Sequence, residues 1–146
     1  MPLDALFSAA SALALAGWIA LALAPLRRAW SVAAARWIAA LLCGGYAVFL
    51  VHGLLAGQGM PEGAGFDTLD AVARLFASRE ALLAGWVHYL AFDLFVGSWE
   101  AADAPAARLP HALVMPCLAL TFVAGPAGLL LYLLLRAARG QSAAAG

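Results

Sequence analysis

The sequence contains no lysine, and charged residues make up only 11% of its 146 residues. Soluble domains are about 25% charged and roughly 45–50% apolar, whereas 66% of this chain is hydrophobic. A water-soluble fold of this length cannot bury so much apolar surface. The arginines are scattered rather than clustered, which argues against a nucleic-acid partner. We therefore predict an integral membrane protein.

Short catalytic motifs are also missing: the sequence has no HExxH, no GxSxG, no phosphate-binding loop and no CxxC. Cys43 and Cys117 lie in separate apolar runs, so we expect both to be small buried side chains. No metal and no cofactor is expected. Two histidines on different helices could still ligate a haem iron axially, and that alternative stays open.

Four apolar runs are present, at roughly residues 3–26, 33–57, 81–102 and 109–135. Each reaches the ~20 residues that a helix needs to cross a bilayer. We predict an all-α fold, with one bundle of four transmembrane helices over residues 1–139 and a disordered tail over 140–146. The first run lacks the basic flank of a cleavable signal peptide, so it is expected to remain as a span, with no plastid transit segment ahead of it.

A polar segment, residues 58–81, separates the second and third runs. Its first half is rich in glycine and proline and predicts a loop. Its second half places Leu69, Val72 and Phe76 at helical spacing, and Asp67 or Thr68 could cap that helix. We predict a short interfacial helix between spans 2 and 3.

Four transmembrane helices would divide the arginines evenly between the two membrane faces. Arg27, Arg28, Arg36 and Arg108 would share one face, and Arg74, Arg79, Arg136 and Arg139 would share the other. The short basic loop after the first run favours the cytoplasm for the first set, with both termini outside. The alanine- and arginine-rich composition is typical of a high-GC bacterium, so we expect a multi-pass protein of the inner membrane. An oligomer is an open alternative.

The third run holds two ionisable side chains, His88 and Asp93, at a depth where charge is energetically unfavourable. On a helix these residues point roughly 140° apart, so they cannot pair with each other. Each must find partners on a neighbouring helix. One stripe of this helix carries Trp86, Tyr89, Asp93 and Glu100, and another carries His88, Phe92, Phe95 and Trp99. We predict a site between helices, walled by aromatic rings, with Glu100 and Asp103 facing water.

The fourth run places His111 directly after Pro110, near a membrane face. Pro116 and Pro126 would loosen its helix and free backbone carbonyls to line a cavity. Tyr132 is expected to face lipid. In the second run, His52 lies near the end, and Gly44 and Gly45 predict close helix packing.

Residues 65–132 resemble the abscisic acid deficient 4-like family of small membrane proteins. The most specific pieces are Leu-Phe-Ala-Ser before the third span, Trp86-Val87-His88, Asp93-Leu94-Phe95, His111 and Gly125-Pro126-Ala127-Gly128. The resemblance implies a four-helix membrane protein that acts on or near a carotenoid, since plant members are linked to neoxanthin synthesis from violaxanthin. It also implies that Trp86, His88, Asp93 and His111 are site residues.

Opening an epoxide to an allenic alcohol is an isomerisation that needs an acid and a base and no redox cofactor. Burial in lipid favours a protonated Asp93 as the acid, and neutral His88 or His111 could be the base. Trp86, Tyr89, Phe92, Phe95 and Trp99 would bind the substrate. Two alternatives stay open: non-catalytic binding of a carotenoid, quinone or haem, and a scaffold role in a pigment-forming complex.

Overall fold

The structure, a computed structural model, describes residues 2–55 and 61–144, with side chains within 2–53 and 61–139. Its helices are α1 (Leu3–Ala22), α2 (Ala24–Leu55), α3 (Leu69–Phe76), α4 (Arg79–Asp103) and α5 (His111–Ala144). The described segments contain no strand. The all-α prediction is therefore confirmed. The start of the predicted loop, residues 58–60, lies outside the described residues.

By length and composition alone, four helices, all except α3, are long and apolar enough to cross a membrane, and for α5 that length includes a break inside the helix. Alanine and leucine dominate them, and both residues favour helix. The chain is therefore a multi-pass membrane protein, as predicted. Helix α2 begins at Ala24 rather than near residue 33, with a non-helical residue, Arg27, close to its start, and it is continuous from residue 28 onward.

The short helix α3 lies between the second and third spans, as predicted. Of the two candidate caps it uses Thr68, whose hydroxyl accepts from the Ala71 amide at 3.1 Å. Ser78 caps α4 in the same way through the Ala81 amide. Leu69 is 84% exposed on α3, which is typical of a helix that lies in a membrane interface.

Helices α1, α2 and α4 form a compact bundle in which α1 and α4 run in the same direction. The exposed ion pair between Asp4 and Arg79, at 2.6 Å, joins their first turns. Near their ends, Gly97 is so close to the Trp18 ring that an added Cβ would lie 2.6 Å from it. We call the two ends of this bundle the Asp4 end and the Asp103 end.

Helix α5 is broken at Ala124, whose backbone is non-helical (φ −151°, ψ 69°). We call residues 111–123 α5a and residues 125–144 α5b. A Cβ at Gly128 would overlap the backbone of Thr121, although residues seven apart in a continuous helix are separated by roughly 10 Å. The two halves therefore pack against each other, and α5 folds back on itself.

Contacts with α1 and α4 fix the direction of each half. His111, at the start of α5a, bonds the Ala22 carbonyl at the end of α1, at 3.1 Å. The Phe122 carbonyl, at the end of α5a, accepts from Tyr89, in the first half of α4. Arg136 of α5b then bonds Asp103, the last residue of α4, at 2.7 Å. Thus α5a runs toward the Asp4 end, and α5b returns to the Asp103 end.

This fold-back corrects the predicted division of the arginines. Arg136 pairs with Asp103, and Arg139 follows one turn later, so both lie at the same end as Arg108. The prediction was wrong because it counted α5 as one straight span, whereas α5a, at 13 residues or ~20 Å, is shorter than a ~30 Å hydrocarbon core. The described part of the chain consequently begins at the Asp4 end and finishes at the Asp103 end.

Three smaller predictions are also corrected. Tyr132 is fully buried rather than lipid-facing, because the fold-back turns it toward α4. Cys43 is exposed on the outer face of α2, whereas Cys117 is buried as predicted. Gly44 and Gly45 have open space where a Cβ would lie, so they mediate no close packing.

The tail predicted as disordered, residues 140–146, lies partly outside the described residues. Within it, the backbone of α5 continues as helix to Ala144.

Candidate functional site

The most polar part of the membrane-spanning region lies where the break in α5 meets the middle of α4. The Asp93 carboxyl rests directly on the Cα of Gly125, where a Cβ would overlap it. The Gly125 amide and the Tyr89 hydroxyl are the hydrogen-bond donors that face this carboxyl. The break at Ala124 exposes backbone groups whose hydrogen bonds must be satisfied within the membrane. Asp93 contacts Gly125, the first residue after that break.

Tyr89 connects Asp93 to the other side of the break. Its hydroxyl donates to the Phe122 carbonyl at 2.9 Å and also faces the Asp93 carboxyl. One hydroxyl proton cannot serve both acceptors fully. Asp93 Oδ2 is buried and has no hydrogen-bond partner among the described residues, so this carboxyl retains unused hydrogen-bonding capacity.

Glu100 is a second buried carboxyl on α4, two turns beyond Asp93. It is 0% exposed and accepts from the Thr121 hydroxyl, also 0% exposed, at 2.9 Å. Its other oxygen, Oε2, is buried without a partner. Glu100 was predicted to face water because it lies close to the end of the third run, and that prediction is wrong. The fold-back places α5a over it.

At the Asp103 end, the interface between α4 and α5 finishes in a cluster of charged and hydroxyl side chains. Asp103 accepts from the Tyr132 hydroxyl at 2.8 Å and from Arg136 at 2.7 Å. Trp99 packs edge-on against the Tyr132 ring, with centroids 5.4 Å apart. Trp99 therefore belongs to the core between α4 and α5b rather than to the wall of an open cavity.

An apolar groove opens between α1, α3 and α4 on the side of the Asp4 end. We call it the aromatic groove; it has a volume of about 510 Å³. Four aromatic residues line it: Phe7, Phe76, Trp86 and Tyr89. Trp86 contacts both Phe7 and Tyr89 with ring centroids 5.4 Å apart. Tyr89 is therefore shared between the groove and the Asp93 carboxyl.

The predicted histidines lie elsewhere. His88 is exposed on the other stripe of α4, stacked on Phe92 at 4.5 Å and edge-on to Tyr46 of α2. His111 lies at the start of α5a with its ring on the Ala22 carbonyl. The structure thus joins Asp93 with Tyr89 and Trp86, and it does not gather Asp93, His88 and His111 around one point.

Two other residues that were predicted to bind the substrate also lie outside the aromatic groove. Phe92 and Phe95 are 56% and 53% exposed and point away from the aromatic groove. His52, near the end of α2, is also exposed. Over the described residues, no group of three or more His, Cys, Asp or Glu side chains could hold a metal ion.

Sequence reasoning missed Glu100, Thr121 and Gly125 as parts of this site. Gly125-Pro126 was a usable signal, since a Gly-Pro pair inside an apolar run marks a break. The pairing of Glu100 with Thr121 had no local signal, because it depends on the reversal of α5.

The model of the ABA DEFICIENT 4-like family matches residues 5–132 of the chain. Neither the curated proteins nor the solved structures contain a match to the chain.

Proposed function

Because the chain belongs to the ABA DEFICIENT 4-like family, we propose that it isomerises an epoxycarotenoid or a related polyene in a bacterial inner membrane. Family membership itself indicates a membrane protein of carotenoid- or abscisic-acid-related metabolism. One observation carries the finer proposal. Tyr89 lines the aromatic groove, and its hydroxyl faces the Asp93 carboxyl.

The aromatic groove suits the end ring of a polyene. Its walls are mainly apolar and aromatic, with the Asp4–Arg79 ion pair as their charged part. The groove lies beside the lipid-exposed surface, since Trp86 is 38% exposed. A cleft of about 510 Å³ lies within the usual range for small-molecule sites, roughly 300–1,000 Å³. The ring would occupy the groove while the rest of the polyene extends along the helices into lipid.

The chemistry proceeds from Tyr89 and Asp93 together. Tyr89 donates its proton to the epoxide oxygen as the ring C–O bond breaks, and Asp93 returns a proton to the Tyr89 oxygen. The Asp93 carboxylate then accepts a proton from the polyene, whose C–H electron pair forms the new double bond. One proton is delivered and one is taken, so the product is an isomer and Asp93 is regenerated.

His88 and His111 remain proposed alternatives for the base. Each contacts a different part of the bundle from Tyr89, so either would act only on a portion of the substrate that reaches its own surface. Substitution of each histidine separates the two schemes.

The test is incubation of purified full-length protein with violaxanthin, zeaxanthin or a retinal-type substrate, followed by chromatography of the pigments. We expect an isomeric product only from the epoxide-containing substrate. Asp93→Asn and Tyr89→Phe should each lower the rate of its formation by at least about a hundredfold, since general acid–base catalysis contributes 10²–10⁴-fold. His88→Ala and His111→Ala should retain most turnover. If folded wild-type protein changed none of the pigments, the proposed isomerase activity would be excluded.

Non-catalytic binding of a carotenoid is the second candidate. It is favoured by the Gly125 amide, which already engages the Asp93 carboxyl in a structural role. Under this hypothesis Asp93→Asn changes affinity modestly and no substrate is consumed. The visible spectrum of protein purified in mild detergent identifies the ligand: three polyene bands indicate carotenoid, and a Soret band indicates haem.

A further inference from the structure

A second cleft, at the Asp103 end, is lined by two arginines. It lies between α2 and the last turn of α4 and has a volume of about 800 Å³. We call it the arginine cleft. Its wall combines Arg28, Arg36 and Trp37 with small apolar residues, among them Val32 and Ala102.

Neither arginine has an acidic partner among the described residues, a property that they share with Arg27, Arg74, Arg108 and Arg139. Arg79 pairs with Asp4, and Arg136 pairs with Asp103. Within residues 2–53 and 61–139, neither Arg28 nor Arg36 forms an ion pair. A guanidinium against apolar walls is stabilised by an anion that accepts several N–H groups at once, and phosphate fits this geometry.

The depth of the cleft matches that of a lipid headgroup. Ala102 precedes the last residue of α4, so the cleft lies at the end of the span. Trp37 is 72% exposed, and tryptophan is enriched at the boundary between headgroups and hydrocarbon. Arg36 lies about two turns deeper on α2 than Arg28, a position from which a long side chain can reach the interface.

From these observations we propose that the arginine cleft binds the phosphate of an anionic phospholipid, with the acyl chains lying against the outer face of α2. A soluble phosphate would use only the two guanidinium groups. A lipid also covers the exposed Trp37 and Ala102, which accounts for the exposed apolar part of the wall. The surrounding arginines favour the same ligand, because Arg27 and Arg108 add positive charge at this end.

The experiment is native mass spectrometry of the full chain in detergent, titrated with phosphatidylglycerol or with phosphatidylcholine of the same acyl chains. We expect retention of phosphatidylglycerol at a roughly tenfold lower concentration. Arg28→Ala and Arg36→Ala should each weaken retention by about tenfold, as expected for one lost charge-assisted hydrogen bond. Arg139→Ala removes an exposed arginine from the same end and should leave retention unchanged.

Three outcomes would overturn the proposal: equal retention of the two lipids, an equal loss with Arg139→Ala, or displacement of the lipid by millimolar inorganic phosphate. If either alanine variant does not fold, Arg28→Gln and Arg36→Gln keep part of the aliphatic stem and a polar end without the charge, and serve in its place. The wild-type comparison of the two lipids decides the question even without a variant.

Discussion

Helices α2 and α5 contain the same backbone break in different surroundings. Arg27 of α2 has φ −153° and ψ 72°, and Ala124 of α5 has φ −151° and ψ 69°. A proline lies two residues away in both cases, Pro25 before the first break and Pro126 after the second. The break in α2 lies just after the end of α1, at the Asp103 end. The break in α5 lies against the middle of α4.

The partners of the two breaks differ accordingly. Arg27 is exposed, and no carboxyl pairs with it among the described residues. At Ala124, the Asp93 carboxyl and the Tyr89 hydroxyl meet the adjoining backbone. Water can satisfy broken backbone at a membrane boundary, whereas at depth the protein must supply the partners. Asp93 and Tyr89 of α4 are therefore placed where α5 is broken.

The largest effect expected from this difference is on topology. Because α5 folds back and α2 does not, tags at the two termini should lie on opposite sides of the membrane, with the C-terminus cytoplasmic. Arg136 and Arg139 join Arg27, Arg28, Arg36 and Arg108 at one end, which the positive-inside rule assigns to the cytoplasm. Protease accessibility of the tags in intact cells and in inverted vesicles gives an all-or-none answer. Equal accessibility of both tags would contradict the fold-back.

The second-largest effect is expected from glycine substitutions, which should be harmful in α5 and harmless in α2. Gly128→Ala places a methyl group on the Thr121 backbone, which cannot move unless the fold-back opens. We expect loss of most folded protein, measured as the monodisperse fraction after detergent extraction. Gly125→Ala should be milder, since the Asp93 side chain can move away.

Gly44→Ala in α2 is the matched control, because open space surrounds that position. It should be neutral or stabilising by about 0.5–1 kcal/mol, since alanine favours helix over glycine. A loss at Gly44 equal to the loss at Gly128 would show that the sensitivity is general to this bundle.

A smaller effect is expected at Glu100, which links α4 to α5a. Glu100→Ala removes the acceptor of the buried Thr121 hydroxyl and should lower the free energy of unfolding by about 1–3 kcal/mol. Glu100→Gln keeps an acceptor oxygen and should lose less than Glu100→Ala. Thermal unfolding of the wild-type protein and of each variant is measured in the same detergent. Glu62→Ala, at an exposed position, should change stability by no more than about 0.5 kcal/mol. If Glu100→Ala changed stability as little as this control, Glu100 would not stabilise the interface between α4 and α5a.

Periodicity and length were sufficient to predict the helices. Spans appear because apolar runs of this length have few other structures in lipid, and α3 follows from its spacing and its cap at Thr68. The helical stripe that joins Trp86, Tyr89 and Asp93 was also predicted and is observed. These features depend only on local sequence.

The partners across the interface were not predicted, because they depend on the direction of α5. A straight α5 would carry Tyr132 and Arg136 to the Asp4 end, whereas the fold-back brings both to Asp103. Hydropathy measures how long a run is and cannot report a reversal within it. The burial of Glu100 and Tyr132 follows from that one backbone change.

The fold-back also changes what insertion into the membrane requires. If α5 crossed the bilayer, Arg136 and Arg139 would have to move through it. In an energised membrane each transferred charge corresponds to about 2.3 kcal/mol per 100 mV, and a positive charge leaving the cytoplasm moves against that potential. Because α5b returns to the end at which α5a began, both guanidinium groups would stay on the cytoplasmic side if the Asp103 end faces the cytoplasm, as the arginine distribution predicts. The last segment can therefore complete the fold without translocating any charge.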